Sequence, residues 1–156
     1  MKLRDIHLRD PFIFAENGVY YLYGTRRGDT TKVIPWQGLD VYTSTDLIEW
    51  SEPHECFTRP ENFWSDRDFF APEVYHYGDA YYMFASFRSE DRLRCSQILK
   101  SDSPMGPFLP FTDGPITPDG GHVWTPPSMW TRRAHPGRPS ATNGRRSVTA
   151  RLISYP

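Results

Sequence analysis

A chain of 156 residues fills one ordinary domain and is too short for two. Its 38% hydrophobic and 24% charged residues fit a folded protein, while 15% aromatics and 15 prolines argue against a helical bundle and for many short strands. The net charge of −1 conceals a split: residues 1–119 carry 12 basic and 19 acidic residues, and residues 120–156 carry six arginines and no acid. No apolar run reaches the length of a membrane-spanning helix, and no membrane partner is expected. The residues after Met1-Lys2-Leu3-Arg4-Asp5 lack the apolar core of a signal peptide, so the cytoplasm is the expected address. Cys56 and Cys95 are too few for a disulfide framework or a four-thiolate zinc site and read as buried, idle thiols.

Asp10-Pro11 opens a turn, and Phe12-Ile13-Phe14 is a short apolar run. Asn17-Gly18 is a two-residue hairpin signal. Val19-Tyr20-Tyr21-Leu22-Tyr23-Gly24-Thr25 has the β-branched and aromatic content of a strand. Leu39 to Ser44, followed by Asp46 to Trp50, reads as a second strand pair. The pattern then returns after 61 residues: Ala71-Pro72-Glu73-Val74-Tyr75 matches the first run, Tyr77-Gly78-Asp79 supplies the turn, and Tyr81 to Ser86 match Tyr20 to Thr25. Ser96 to Ser101 and Asp102 to Phe108 close the second copy. Four short strands repeated at this period predict an all-β fold of β-propeller blades. A β-sandwich would supply similar strands but no reason for the internal match.

The ordered strings Arg9-Asp10-Pro11-Phe12-Ile13, Gly18 to Tyr23 and Tyr42 to Trp50 resemble the first blade of glycoside hydrolase family 43. Ala71-Pro72-Glu73-Val74 and Ser101-Asp102-Ser103-Pro104-Met105-Gly106-Pro107-Phe108 resemble its second blade, with Phe70 where the family usually has Trp. The resemblance covers about residues 6–118, roughly two blades of an expected five. It implies an inverting glycosidase of the β-xylosidase, arabinofuranosidase or arabinanase kind, with three acids around the propeller axis and an oligosaccharide as partner. Related propellers acting on fructosides or mannosides share parts of these motifs, and a non-catalytic sugar-binding module is the alternative from another class.

Inversion needs one carboxylate to deprotonate water and another to protonate the leaving oxygen, roughly 6.5–9.5 Å apart. Asp10 matches the family's general base, and Pro11 behind it fixes the backbone. Asp-Pro is also an ordinary turn opening. Glu73 stands at the mouth of the second blade, where the resemblance implies a contact to a sugar hydroxyl. Trp64 and Phe70 are candidate pocket walls, and Trp36 a candidate rim residue, since aromatics stack on sugar faces; blades also bury aromatics between sheets. Tyr20, Tyr21, Tyr81 and Tyr82 read mainly as core. His7, His54 and His76 lack the paired spacing of a metal site. No cofactor is expected from these residues, although some members of the family hold an axial calcium through a histidine of a later blade.

The family expects another aspartate at the start of a third blade, soon after Pro118, yet Gly121 to Thr131 does not resemble a blade. Joining the third base of each codon to the first two of the next changes the reading. Trp124-Thr125 and Trp130-Thr131 are then forced to aspartate and Met129-Trp130 to valine. The whole stretch permits Leu-Asp-x-x-Leu-x-Val-Asp-x-x-Gly-x-Pro-Trp and later His-Glu-Trp, which looks like the missing third blade. Residues 1–119 are therefore expected to form two blades, and 120–156 an unstructured, out-of-frame basic tail. A nucleic-acid arm is the rival reading of that tail; no nucleic-acid partner is expected. Two blades with uncovered sheet faces predict a marginal fragment without the full catalytic set.

Overall fold

Asn17 and Gly18 both adopt positive φ, 50° and 78°, the pair of values that a type I′ hairpin turn demands. They join β1 (Leu8–Glu16) to β2 (Val19–Arg26), which pairs with β3 (Leu39–Ser44) and then β4 (His54–Phe57). The second sheet repeats this order with β5 (Arg67–Tyr77), β6 (Ala80–Arg88), β7 (Cys95–Ser101) and β8 (Leu109–Pro110). Both sheets are antiparallel throughout, and they are two propeller blades. The computed structural model describes residues 1–26 and 38–117. Trp36 and the basic segment 120–156 lie outside the described residues. Among the described residues no helix is long and apolar enough to cross a membrane.

The internal repeat holds at the level of register. Ile13 faces Leu22 and Phe14 faces Tyr21 in the first blade; Val74 faces Met83 and Tyr75 faces Tyr82 in the second. Each inner strand breaks register at the same place, between Arg9 and Phe12 and between Phe70 and Glu73. These irregularities hold Asp10-Pro11 and Ala71-Pro72. A proline supplies no ladder donor, so it belongs where a strand bulges.

Alternation along the strands assigns each blade two faces. Tyr21 and Tyr23 of β2, with Leu39 and Val41 of β3, join the core shared with Val74, Met83, Phe87 and Leu99 of blade two. Phe57 anchors this seam, with ring centroids 5.5 Å from Phe63, 5.8 Å from Phe69 and 5.7 Å from Phe87. Tyr23 meets Phe108 edge-on and donates its buried hydroxyl to the Pro104 carbonyl. The opposite face of blade one packs Leu22, Tyr42 and Trp50 with Tyr20. The four tyrosines singled out from sequence are half-buried, with Tyr21 and Tyr81 on the seam and Tyr20 on the outer cluster. Cys56 and Cys95 are buried free thiols.

The outer strands differ from expectation. Asp46 to Trp50 is not a strand: Ser44 Oγ accepts from the Leu47 N–H, and Asp46 Oδ1 accepts from Ile48 and Glu49 N–H, both at 2.8 Å. These short side chains occupy the donors a ladder would need and bend the chain into a turn. The fourth strand is instead His54–Phe57, and in blade two it is Leu109–Pro110 rather than Asp102 to Phe108.

Candidate active site

The first strand of each blade begins at the end of the sheet where β2 and β6 finish, so both bulges lie at one end of the seam. Asp10 sits in the first bulge with φ 51° and an exposed side chain. Its Oδ2 accepts a 2.8 Å hydrogen bond from Thr25 Oγ1. The same hydroxyl accepts the Ala71 N–H of blade two at 3.0 Å. Thr25, on the face of β2 that meets blade two, is only 1% exposed.

Phe70 precedes Ala71 and is half-buried. The guanidinium of Arg9 lies 5.1 Å from its ring centroid and that of Arg94 4.5 Å. Such cation–π contacts hold the ring beside Asp10's neighbour. Asp68 balances this charge, 3.4 Å from Arg88 and 3.7 Å from Arg94. Glu73 is half-buried on β5 and accepts the Tyr75 hydroxyl at 2.8 Å. The Tyr75 ring lies 5.6 Å from Phe12, which follows Asp10-Pro11 on β1. Burial first, and the bond to Glu73 second, push the Tyr75 phenol well above its ordinary value, so it remains a donor.

Trp64 is placed differently. It is half-buried against Phe63 and Phe87, and its indole N–H donates to Gln97 Oε1, while Arg92 lies 5.7 Å from its ring. Its packing is with the seam and with β7. Asp10, Phe70 and Glu73 thus lie on the two neighbouring inner strands, with Trp64 just before β5. At the far end of these strands His76 Nδ1 and the Tyr81 hydroxyl share the Glu16 carboxylate, and the His76 ring stacks on Tyr81 at 4.4 Å. Among the described residues no three His, Cys, Asp or Glu side chains gather as a metal site.

Sequence reasoning missed Thr25, Arg9 and Arg94. A signal for Thr25 was available: its counterpart 61 residues on is Ser86, a second small hydroxyl at the end of an apolar strand.

Two antiparallel four-stranded blades, with a carboxylate raised from an inner-strand bulge, define part of a β-propeller. The chain belongs to glycosyl hydrolases family 43, which it matches over residues 5–123. Among solved structures it is similar to an endo-arabinase from Bacteroides thetaiotaomicron VPI-5482, with 35% identity and a TM-score of 0.68, covering 78% of this chain and 40% of that one. It is also similar to a thermostable family-43 glycoside hydrolase, with 29% identity and a TM-score of 0.61, covering 72% of this chain and 34% of that one. A β-xylosidase/α-arabinofuranosidase from a compost microbial metagenome shares the fold at 22% identity and a TM-score of 0.58, over 72% of this chain and 36% of that one. The chain therefore spans 40% or less of the length of these structures. No curated protein sequence matches it.

Proposed function

We propose that residues 1–119 are the opening two blades of an inverting glycosidase acting on arabinose- or xylose-containing saccharides, with Asp10 as the general base. The observation that carries this reading is the Asp10 carboxylate itself, exposed at the inner strand with one oxygen held by Thr25. A base that takes a proton from water must keep one oxygen accessible and the other oriented. The water would attack the anomeric carbon on the face opposite the leaving group, roughly 6.5–9.5 Å from the acid that protonates the departing oxygen. Glu73 would accept from a sugar hydroxyl, and Phe70 would wall the pocket. The endo-arabinase, at 35% identity, favours the arabinose-containing class.

The acid partner and the second aspartate belong to later blades. Residues 120–156 are the out-of-frame translation of the beginning of that region. The support is internal: read one base out of register, codons 124–130 permit Asp-Pro-x-(Leu/Ile/Val/Phe)-Tyr-Val-Asp, in the manner of Asp10-Pro11-Phe12-Ile13-Phe14-Ala15-Glu16. Sequencing the gene tests this directly. An open frame of about 150 codons restored by a one-base change near codon 120 supports it, and the lack of any such frame overturns it. In the frame-restored protein, Asp10→Asn should cut turnover of an aryl-pentoside by roughly 10²–10⁴-fold while sugar binding persists. Binding without turnover in the unmutated protein would favour the sugar-binding module instead.

A further inference from the structure

We infer that Thr25 is the positioning residue for the Asp10 carboxylate, fastening the strained bulges of both blades to a single hydroxyl. The inference rests on the assignment of Asp10 as base and adds the device that aims it.

The direction of the hydrogen bonds follows from the donors available. A backbone N–H can only donate, so Thr25 Oγ1 accepts at Ala71, 3.0 Å away. An ionised carboxylate can only accept, so the hydroxyl proton is directed to Asp10 Oδ2, 2.8 Å away. The chain Ala71 N–H to Thr25 O–H to Asp10 therefore has one polarity. At 1% exposure for Thr25, bulk water does not compete for the hydroxyl. Holding Oδ2 in this way aims Oδ1, the oxygen left to take a proton.

Both ends of this chain need holding. Asp10 and Ala71 each have φ 51°, a left-handed conformation that non-glycine residues rarely adopt, and each precedes a proline, which favours extended backbone in the residue before it. Residues in such conformations persist where their surroundings over-determine them. Thr25 supplies that restraint to both at once, across 15 residues in one direction and 46 in the other. Blade two gives the contrast. Ser86 occupies Thr25's position, fully buried, but the residue in Asp10's place is Ala71. Among the described residues the Ser86 hydroxyl has no hydrogen-bond partner. A hydroxyl at this point of the repeat is thus not satisfied by its own blade unless a carboxylate stands opposite.

The test uses the full 156-residue chain, isotopically labelled, as wild type, Thr25→Val and Thr25→Ser. Three-bond couplings report the Asp10 χ1 rotamer, and hydrogen exchange reports the Ala71 amide. Wild type and Thr25→Ser should hold one Asp10 rotamer. In Thr25→Val, of the same shape without the hydroxyl, Asp10 should average over rotamers and the Ala71 amide should exchange about tenfold faster or more. A single Asp10 rotamer retained in a folded Thr25→Val would overturn the proposal. Should the Val variant not fold, the wild type still decides: rotamer averaging at Asp10 overturns the proposal, and a slowly exchanging Thr25 hydroxyl proton close to a fixed Asp10 supports it. No sugar enters this measurement, so its failure removes Thr25's role alone, whereas the turnover test of Asp10→Asn judges the assignment of the base.

Discussion

Asp10 and Ala71, 61 residues apart, share one backbone conformation: both have φ 51° and both stand immediately before a proline. The strain therefore belongs to the repeated bulge and not to the carboxylate alone. Asp tolerates the left-handed region better than most residues, because its short polar side chain bonds locally; Ala has no such compensation.

This asymmetry predicts the behaviour of Ala71. It is 6% exposed, so a larger side chain there meets both steric crowding and a disfavoured φ. Ala71→Gly should leave stability unchanged or raise it by about 0.5 kcal/mol, the relief of strain offsetting the entropy that glycine adds to the unfolded chain. Ala71→Val should lose about 2 kcal/mol or more. Urea unfolding of the two variants checks the difference.

Ser86 and Thr25 should respond in opposite directions. Removing the buried, unpartnered Ser86 hydroxyl relieves a desolvated polar group, so Ser86→Ala is expected to be neutral or stabilising by about 1 kcal/mol. Thr25→Val strands the buried Ala71 N–H and takes a donor from Asp10, and should cost about 1–3 kcal/mol. Equal losses in both variants would contradict this account of the seam.

The aromatic seam sets the stability of the two-blade unit. Phe87 is fully buried and lies 5.0 Å from Phe63, 5.1 Å from Phe69 and 5.7 Å from Phe57. Phe87→Ala should cost about 3–5 kcal/mol, a large part of the ~5–15 kcal/mol that holds an ordinary domain together. The exposed Leu109 is the control, and Leu109→Ala should change stability by no more than about 0.5 kcal/mol. Thermal unfolding followed by near-ultraviolet circular dichroism reads both.

Alkaline pH should loosen the seam. The bond to Glu16, followed by desolvation, pushes the Tyr81 phenol up to about 12, and burial pushes Tyr23 higher still. A phenol whose folded value is raised contributes stability that is complete below its unfolded value of about 10. That contribution falls as pH rises through the folded value, so the urea midpoint should decline between about pH 10 and 12. Tyr81→Phe should flatten part of that decline while leaving the neutral-pH fold intact.

Much of this architecture was legible in the sequence, and the reasons are local. Asn17-Gly18 has few alternatives to a tight hairpin, and the aromatic strands repeat at a fixed offset, so both inner hairpins and their shared register could be read directly. The outer strands were not legible. Ser44 and Asp46 capture backbone donors that alternation alone assigns to a strand, and His54-Glu55-Cys56-Phe57 is too short and mixed to announce itself. At the candidate site, Asp10 was singled out by its place in the ordered family motif, since Asp-Pro alone is an ordinary turn opening. Thr25 left only the faint mark of the Thr25/Ser86 hydroxyl repeat, because its partner on blade two is a main-chain N–H, and a backbone group leaves no mark in a side-chain pattern.

The most direct measurement is turnover by the frame-restored enzyme with Asp10 intact and as Asp10→Asn, using an aryl-arabinoside and an aryl-xyloside. If Asp10 is the general base, the substitution should lower kcat by roughly 10²–10⁴-fold while sugar affinity stays within a few-fold. Turnover retained at the unmutated rate would show that the proton is taken elsewhere, and would contradict the role assigned to this carboxylate.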